Sequence, residues 1–225
     1  MESGLSKPEV IDFLVRSQAL KFGDFTLKSG RKAPYFINTG CFDDGDKIAK
    51  LSHFYARQIV ASGLGRADVV FGPAYKGIPL CVSTAMTLAS HYNTPMSFCF
   101  NRKEAKTRGE GGEYVGKPLV AGMKVVLVED VVTAGTTLHE VIPVLREKVG
   151  VEIAGVIILV DRDEKSTGTV SAVKQAESEL DITITSIVNI HDIISYLSKD
   201  NSSGFVINEE LMTRIKSYRA EFGAS

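Results

Sequence analysis

The chain has 225 residues, 44% hydrophobic and 24% charged, and its 26 Lys and Arg against 27 Asp and Glu leave a formal charge of −1. That balance excludes a nucleic-acid or anionic-membrane binder working through whole-molecule charge, so any cationic patch has to be local. Ordinary globular composition at this length buries roughly 70–75% of the surface an unfolded chain exposes and suits one domain with an appendage.

The N-terminal "MESGLSKPEVIDFLVRSQAL" lacks a signal-peptide layout and no apolar run approaches a membrane span, so a cytoplasmic protein with no membrane partner is expected. Residues 8–38, ending in "KSGRKAPYFIN", do not fit the pattern that follows. A helix is expected over 47–62, then β-branched strands at 67–72, 96–100, 124–130, 154–161 and 182–188, with helices over 77–91, 136–148 and 167–179 between them. Strands without polar alternation suit burial on both faces. The βαβα order therefore predicts an α/β fold: an open, mainly parallel sheet flanked by helices. Residues 190–225, with "NEELMTRIKSYRAEF" as a terminal amphipathic helix, join the N-terminal segment as a small cap beside the sheet's carboxyl edge. The expected division is a single domain, core about 42–188, cap from about 1–41 and 189–225.

Cys41, Cys81 and Cys99 are odd in number, widely spaced and without a CxxC, and read as buried thiols rather than a disulfide or zinc framework. His53, His91, His139 and His191 show no ligand spacing and are expected to be structural. "GLGRAD" (63–68) lacks the third glycine of a dinucleotide fingerprint and precedes its strand, so it reads as a helix stop.

In an open α/β sheet ligands sit beyond the carboxyl ends of the strands, which directs attention to three loops. After the first strand, "GPAYKGIPL" (72–80) sets Lys76 in a tight turn before a helix start, an arrangement suited to an anion or to a plain solvated turn. After the second, residues 101–118 carry Arg102, Lys103, Lys106, Arg108 and Lys117 among glycines. A structureless stretch of that length is expected to be a lid or a charged hairpin tip. "GGEYVGKP" within it imitates a phosphate-binding Walker motif, but Pro118 replaces the Ser or Thr and "PLVAGMKVVLV" reads as another strand where a helix is required. After the third strand, Glu129 and Asp130 run into Val131, Val132, Thr133, Ala134, Gly135, Thr136 and Thr137. The Thr-Gly turn at a helix start suits a phosphate, and the two carboxylates suit hydroxyls or developing positive charge. A phosphorylated sugar offers both.

"VVLVEDVVTAGTT" (125–137) closely resembles the signature of the type I phosphoribosyltransferases, which bind 5-phosphoribosyl 1-diphosphate (PRPP). "FTLKSGRKAPYFIN", "GPAYKGIPL", "NRKEAK" with "GEGG", and "LVDRDE" resemble the branch of that family that uses orotate, and the likeness spans nearly the whole chain. The resemblance implies phosphoribosyl transfer from PRPP to orotate with Mg²⁺, held mainly through substrate phosphates and waters, in a homodimer whose lid residues are shared across subunits. It puts the 5-phosphate on Thr133–Thr137, the ribose hydroxyls on Glu129 and Asp130, and the diphosphate near Tyr75, Lys76, Lys28, Arg102, Lys103, Lys106 and Arg108. Orotate is implied near Lys28, Phe36, Ile37, Thr133 and Arg162. Thr107 and Arg108 stand where an Asp-His pair is common in this family, which leaves the lid's proton donor open. A transferase for another base and a non-enzymatic nucleotide sensor are the competing readings. The first should lose Lys28, "PYFIN" and Arg162, and the second could lose the lid cations.

Overall fold

The computed structural model describes residues 6–27, 30–106, 112–166 and 168–224, with backbone only at Ala105 and Lys106. In chain order it has α1 (Lys7–Arg16), β1 (Leu20–Thr26), β2 (Lys32–Ile37), α2 (Gly45–Ala61), β3 (Val69–Phe71), α3 (Gly77–His91), β4 (Ser97–Lys106), β5 (Gly112–Gly116), β6 (Lys124–Glu129), α4 (Thr136–Val144), β7 (Glu152–Asp161), α5 (Ala172–Leu180), β8 (Ile184–Asn189), α6 (Ile190–Leu197) and α7 (Glu209–Phe222). The main sheet runs β5-β4-β3-β6-β7-β8, parallel throughout except for the antiparallel β4–β5 edge.

Burial on both faces is visible residue by residue. Val126 and Val128 of β6 point into a core shared with α1, α2 and α3, while Val125 and Leu127 enter a second core with α4 and α5. The same alternation divides Ile157 from Ile158 in β7. A strand's side chains alternate between faces, so a continuous apolar run needs two cores, and the helices supply them.

Several expectations are corrected in detail. Residues 101–118 are not a structureless loop: β4 continues to Lys106 and returns as β5, with Asn101 opposite Tyr114 and Lys106 opposite Gly112. Residues 107–111, which link the two strands in sequence, lie outside the described residues. β6 begins at Lys124 as expected for the strand at 124–130, while residues 118–123, also read as strand, form a turn in which Gly122 takes a positive φ of 81°. The helix expected from 167 starts at Ala172, where the Ser171 side chain accepts from Lys174 N. Pro143 lies inside α4, and the chain continues through a π turn, Leu145–Val149. Gly63, left-handed at φ 71°, stops α2 as expected.

The N- and C-terminal segments, together termed the hood, form α1, the hairpin β1–β2, α6 and α7. Its link to the sheet runs through the segment after β7: the Tyr35 hydroxyl donates to Glu164 Oε1 at 2.8 Å, and Glu164 forms a bridge with Gly223. A buried stack supports it, with the Arg162 guanidinium 4.8 Å from the Tyr35 ring centroid and Tyr218 set edge-on to Tyr35.

Candidate active site

From β3 the chain passes through α3 outward to β4, and from β6 through α4 outward to β7, so β3 and β6 are neighbours from which the order diverges. Right-handed crossovers in opposite directions put α3 and α4 on opposite faces. The loops Gly72–Lys76 and Asp130–Gly135 consequently flank one crevice, the switch point at which such sheets bind ligands. Their lining residues, with Glu129 and Leu138, enclose a cavity of about 270 Å³.

The helix starts at this crevice differ from most of those elsewhere. Asp44, Ser171, Asn189 and Asn208 cap α2, α5, α6 and α7 with their side chains. Lys76 and Gly135, which precede α3 and α4, make no such bond. Gly77 N and Ile78 N of α3 already donate to Pro73 O and Tyr75 O, so it is the first turn of α4 that leaves N–H groups for a ligand, and the helix dipole favours an anion there. Gly135 is needed for the turn, since it sits at φ 69° and an added Cβ would lie 3.2 Å from the His139 ring.

The carboxylates end β6 on the cavity floor. Asp130 Oδ2 accepts from Lys76 Nζ at 2.8 Å and from the Thr39 hydroxyl, while Asp130 Oδ1 accepts from Val131 N at 2.8 Å. Lys76 Nζ also donates to Thr39 Oγ1 at 3.0 Å. Behind them the fully buried Tyr55 hydroxyl donates to the Glu129 carbonyl at 2.7 Å, which fixes the strand end.

The two acids differ in charge. Burial, then the neighbouring Asp130 charge, pushes Glu129 up to about 8. Burial also works against the Asp130 charge, but hydrogen bonds from Lys76 and Thr39 outweigh it and hold Asp130 below the usual carboxylate range. Glu129 thus holds its proton more tightly than Asp130, and a pair of unequal acids suits a row of sugar hydroxyls that both donate and accept. A carboxyl raised on folding binds its proton more tightly in the native state, so stability falls as pH rises from about 4.5 toward 8. Glu129→Gln is expected to flatten that slope: urea midpoints at pH 5 and pH 8.5 should differ less in the variant than in the parent, and equal differences would remove Glu129 as the cause.

The structure brings Tyr75, Lys76 and Glu129 through Thr133, with Gly135, Thr136 and Thr137, around this one cavity. Tyr75 is 71% exposed, consistent with a side chain waiting for a ligand rather than packing a core. Ala134 lies exposed in the same turn. Arg102 and Lys103 stand on β4, where Arg102 Nε is buried without a partner among the described residues and Lys103 Nζ lies 3.9 Å from Glu140. Lys28, Arg108 and the side chain of Lys106 lie outside the described residues.

Of the candidates for the base, Thr133 lines this cavity, while Phe36, Ile37 and Arg162 do not. Phe36 and Ile37 are half-buried on β2, with Phe36 stacked on Phe25 at 5.5 Å. Arg162 is neither a surface charge nor an open fork. It is 7% exposed, and its Nε and Nη2 both donate to Glu164 Oε1, at 3.1 and 2.7 Å. Thr39 and Tyr55 escape sequence reading, because a hydroxyl in "NTG" and a tyrosine inside a helix pattern carry no local sign of the acids they meet.

This crevice, with acids ending one strand, a phosphate-sized turn after them and a lysine loop on the neighbouring strand, defines a phosphoribosyltransferase site. The family model for the phosphoribosyl transferase domain matches residues 39–191. An orotate phosphoribosyltransferase of Aliivibrio fischeri (strain MJ11) is 46% identical over 215 residues, covering 96% of this chain and 97% of its own. One from Bifidobacterium longum (strain NCC 2705) is 50% identical over 221 residues, covering 95% and 96%. The crystal structure of the Francisella tularensis orotate phosphoribosyltransferase superposes with a TM-score of 0.84 at 37% identity, covering 96% of this chain and all of that one. The chain belongs to the orotate phosphoribosyltransferase family.

Proposed function

We propose that this chain transfers the phosphoribosyl group of PRPP to orotate, giving orotidine 5′-phosphate and pyrophosphate in pyrimidine nucleotide synthesis. The observation that carries the reading is the meeting, in one cavity, of the Glu129–Asp130 floor, the uncapped start of α4 and the Tyr75–Lys76 loop. Thr133–Thr137 would take the 5-phosphate, Glu129 and Asp130 the ribose hydroxyls, and Lys76 with Tyr75 the diphosphate.

In the reaction the bond from the anomeric carbon to the diphosphate oxygen breaks, its electron pair leaves on pyrophosphate, and a ring nitrogen of orotate bonds to the carbon and loses its proton, which the departing pyrophosphate can take up. Positive charge grows on the sugar while negative charge grows on the leaving group. Asp130 faces the first, and Lys76, Arg102 and Lys103, with Lys106 and Arg108, would meet the second. Lys76 is tied to Asp130 in the free protein, so PRPP has to separate them: the hydroxyls replace the lysine on Asp130 and the diphosphate replaces Asp130 on the lysine. The hairpin β4–β5 would close over the site and exclude water.

Mg²⁺ fits this site as a companion of the substrate. Among the described residues Glu129 and Asp130 are the only acids in the cavity lining, and no group of three His, Cys, Asp or Glu could hold a metal. A hard cation chelated by diphosphate and sugar oxygens and water needs no protein cage. It would neutralise charge on the leaving group.

Orotate would lie toward the hood, against Phe36 and Ile37, with Lys28, Thr133 and Arg162 at its polar edge. Glu164 already occupies part of the Arg162 fork, so that arginine would contribute one arm. A homodimer is consistent with exposed Met86 and Phe98 on the neighbouring elements α3 and β4. A reducing, cytoplasmic setting is consistent with three free cysteines, two of them buried. In this reading residues of about 42–188 form the catalytic core, with the hood from 1–41 and 189–225.

Mixing the protein with PRPP, Mg²⁺ and orotate is expected to deplete orotate absorbance, with adenine, hypoxanthine and uracil left unchanged in parallel. Turnover of one of those bases without orotate consumption would overturn the assignment.

A further inference from the structure

The sequence places His139 among histidines without a role, but the structure gives its ring two partners that can only accept. Nδ1 lies 2.9 Å from the Gly135 carbonyl oxygen and Nε2 lies 2.7 Å from Glu179 Oε2. Hydrogen bonds from Gln175 and then His139 hold the Glu179 carboxyl below its ordinary range, so it is ionised at neutral pH. A neutral imidazole carries one N–H and would set a bare nitrogen lone pair against one of these oxygens. Both contacts are satisfied only by the doubly protonated ring.

The position of that charge is informative. His139 lies in the first turns of α4, where a cation opposes the helix dipole. Its cost in the free protein is offset by Gly135 and Glu179, and an anion on the preceding turn makes it favourable. Gly135 O also accepts the His139 backbone N–H at 3.0 Å, so both of its lone pairs are bound and the turn is clamped to the helix. The charged groups around the ring are few. Glu179 comes from α5, beside Gln175 and the apolar Ala176, and Glu140 on α4 has its own cation in Lys103 of β4.

We propose that His139 is a positioning residue of the phosphate turn: as an imidazolium it fixes the Gly135 carbonyl and adds positive potential beneath the 5-phosphate of PRPP. This rests on the phosphoribosyl transfer proposed above. The Gly135 hydrogen bond and Glu179 raise His139 above its ordinary value against the effect of burial. The cation is therefore complete at low pH and is lost as pH rises through that raised value, and with it part of the affinity for PRPP.

The test measures kcat and KM for PRPP from pH 6 to 9 in the parent, His139→Gln and His139→Arg, and follows the ring proton of His139 by NMR with and without PRPP. The parent's KM should rise about two- to fivefold across the titration, the range for a charge at a helix terminus, with kcat changing less. His139→Gln should show the high KM throughout and His139→Arg the low one. The titrations of the substrate phosphate and of Glu129 are common to all three and cancel in the comparison. The ring's midpoint should move up on adding PRPP, and Glu179→Gln should move it down. Identical KM profiles in the three proteins overturn the proposal, as does a ring that is neutral at pH 6.5 or unmoved by PRPP. Should His139→Gln fail to fold, the arginine variant and the ring titration decide. Failure to consume orotate, with PRPP still moving the ring's midpoint, would sink the choice of base and leave the role of His139 standing.

Discussion

Asp130→Asn is expected to lower kcat/KM for PRPP by about 10²–10³-fold, the scale for removing one preorganised electrostatic group from a reacting centre. Asp130 uses both oxygens as acceptors, one for Lys76 and Thr39 and the other for the Val131 N–H. Asparagine has one acceptor oxygen, so either the lysine and threonine or the backbone donor must face an NH₂ group. The charge that offsets the developing sugar cation is lost as well. Because that cation grows toward the transition state, kcat should carry more of the loss than KM. Stability should fall by about 1–3 kcal/mol, since Asp130 is buried and one of its donors is left facing an NH₂ group, while the Lys76 side chain is 62% exposed and the ion pair itself adds little. Initial rates of orotate depletion over a PRPP series, beside thermal melts of both proteins, check this. A variant within about threefold of the parent would remove the carboxylate from the chemistry, on a scale where tenfold is about 1.4 kcal/mol.

The central strands were legible because burial on both faces writes an uninterrupted β-branched run, as in "VVLV" of β6 and "VIILV" of β7. Other strands lacked that mark. β1, "LKFGDFT", is broken by Gly23 at φ 154°, and its pairing with β2 slips between Phe22 and Phe25, so its alternation is lost. β5, "GEYVG", has no fully buried residue and pairs at a sheet edge, where composition is free to look like a loop. The phosphate turn was legible for a different reason: its acids, glycine and threonines are contiguous, so one stretch of chain contains the chemistry. Thr39 and Tyr55 meet the acidic pair across 91 and 74 residues, and Glu179 meets His139 across 40. Contacts of that span depend on the sheet order, which local pattern does not encode. Arg162 shows the same limit, because its partner Glu164 is close in sequence but the Tyr35 ring that completes the cluster comes from the hood.

Gly72→Ala is expected to cost at least about 10²-fold in kcat/KM, since displacement of a positioning group by about 1 Å can have that effect. A Cβ at residue 72 would lie 1.9 Å from the Gly77 carbonyl oxygen and 2.5 Å from its carbon, both backbone atoms that no rotamer change can move. The approach is mutual, because a Cβ at Gly77 would meet the Gly72 carbonyl carbon at 2.6 Å. The loop has no slack on its other sides. Gly72 N donates to Cys99 O at 3.0 Å, Ala74 N to Asn101 Oδ1 at 2.9 Å, and Gly77 N to Pro73 O at 2.9 Å. The methyl must therefore push the start of α3 away from the end of β3, and Tyr75 and Lys76, which lie between, must move with it. Overpacking of this kind costs about 1–3 kcal/mol, a fall in Tm of about 2–12 °C at this chain length. Gly45→Ala separates the steric effect from glycine chemistry in general, for nothing lies within 4 Å of a Cβ there and the residue opens α2. That variant should keep parental kinetics and melt at the parental temperature or slightly above, because alanine restricts the unfolded chain. Were Gly72→Ala to match it in both measurements, the close approach of β3 and α3 would not be what holds Lys76 over Asp130.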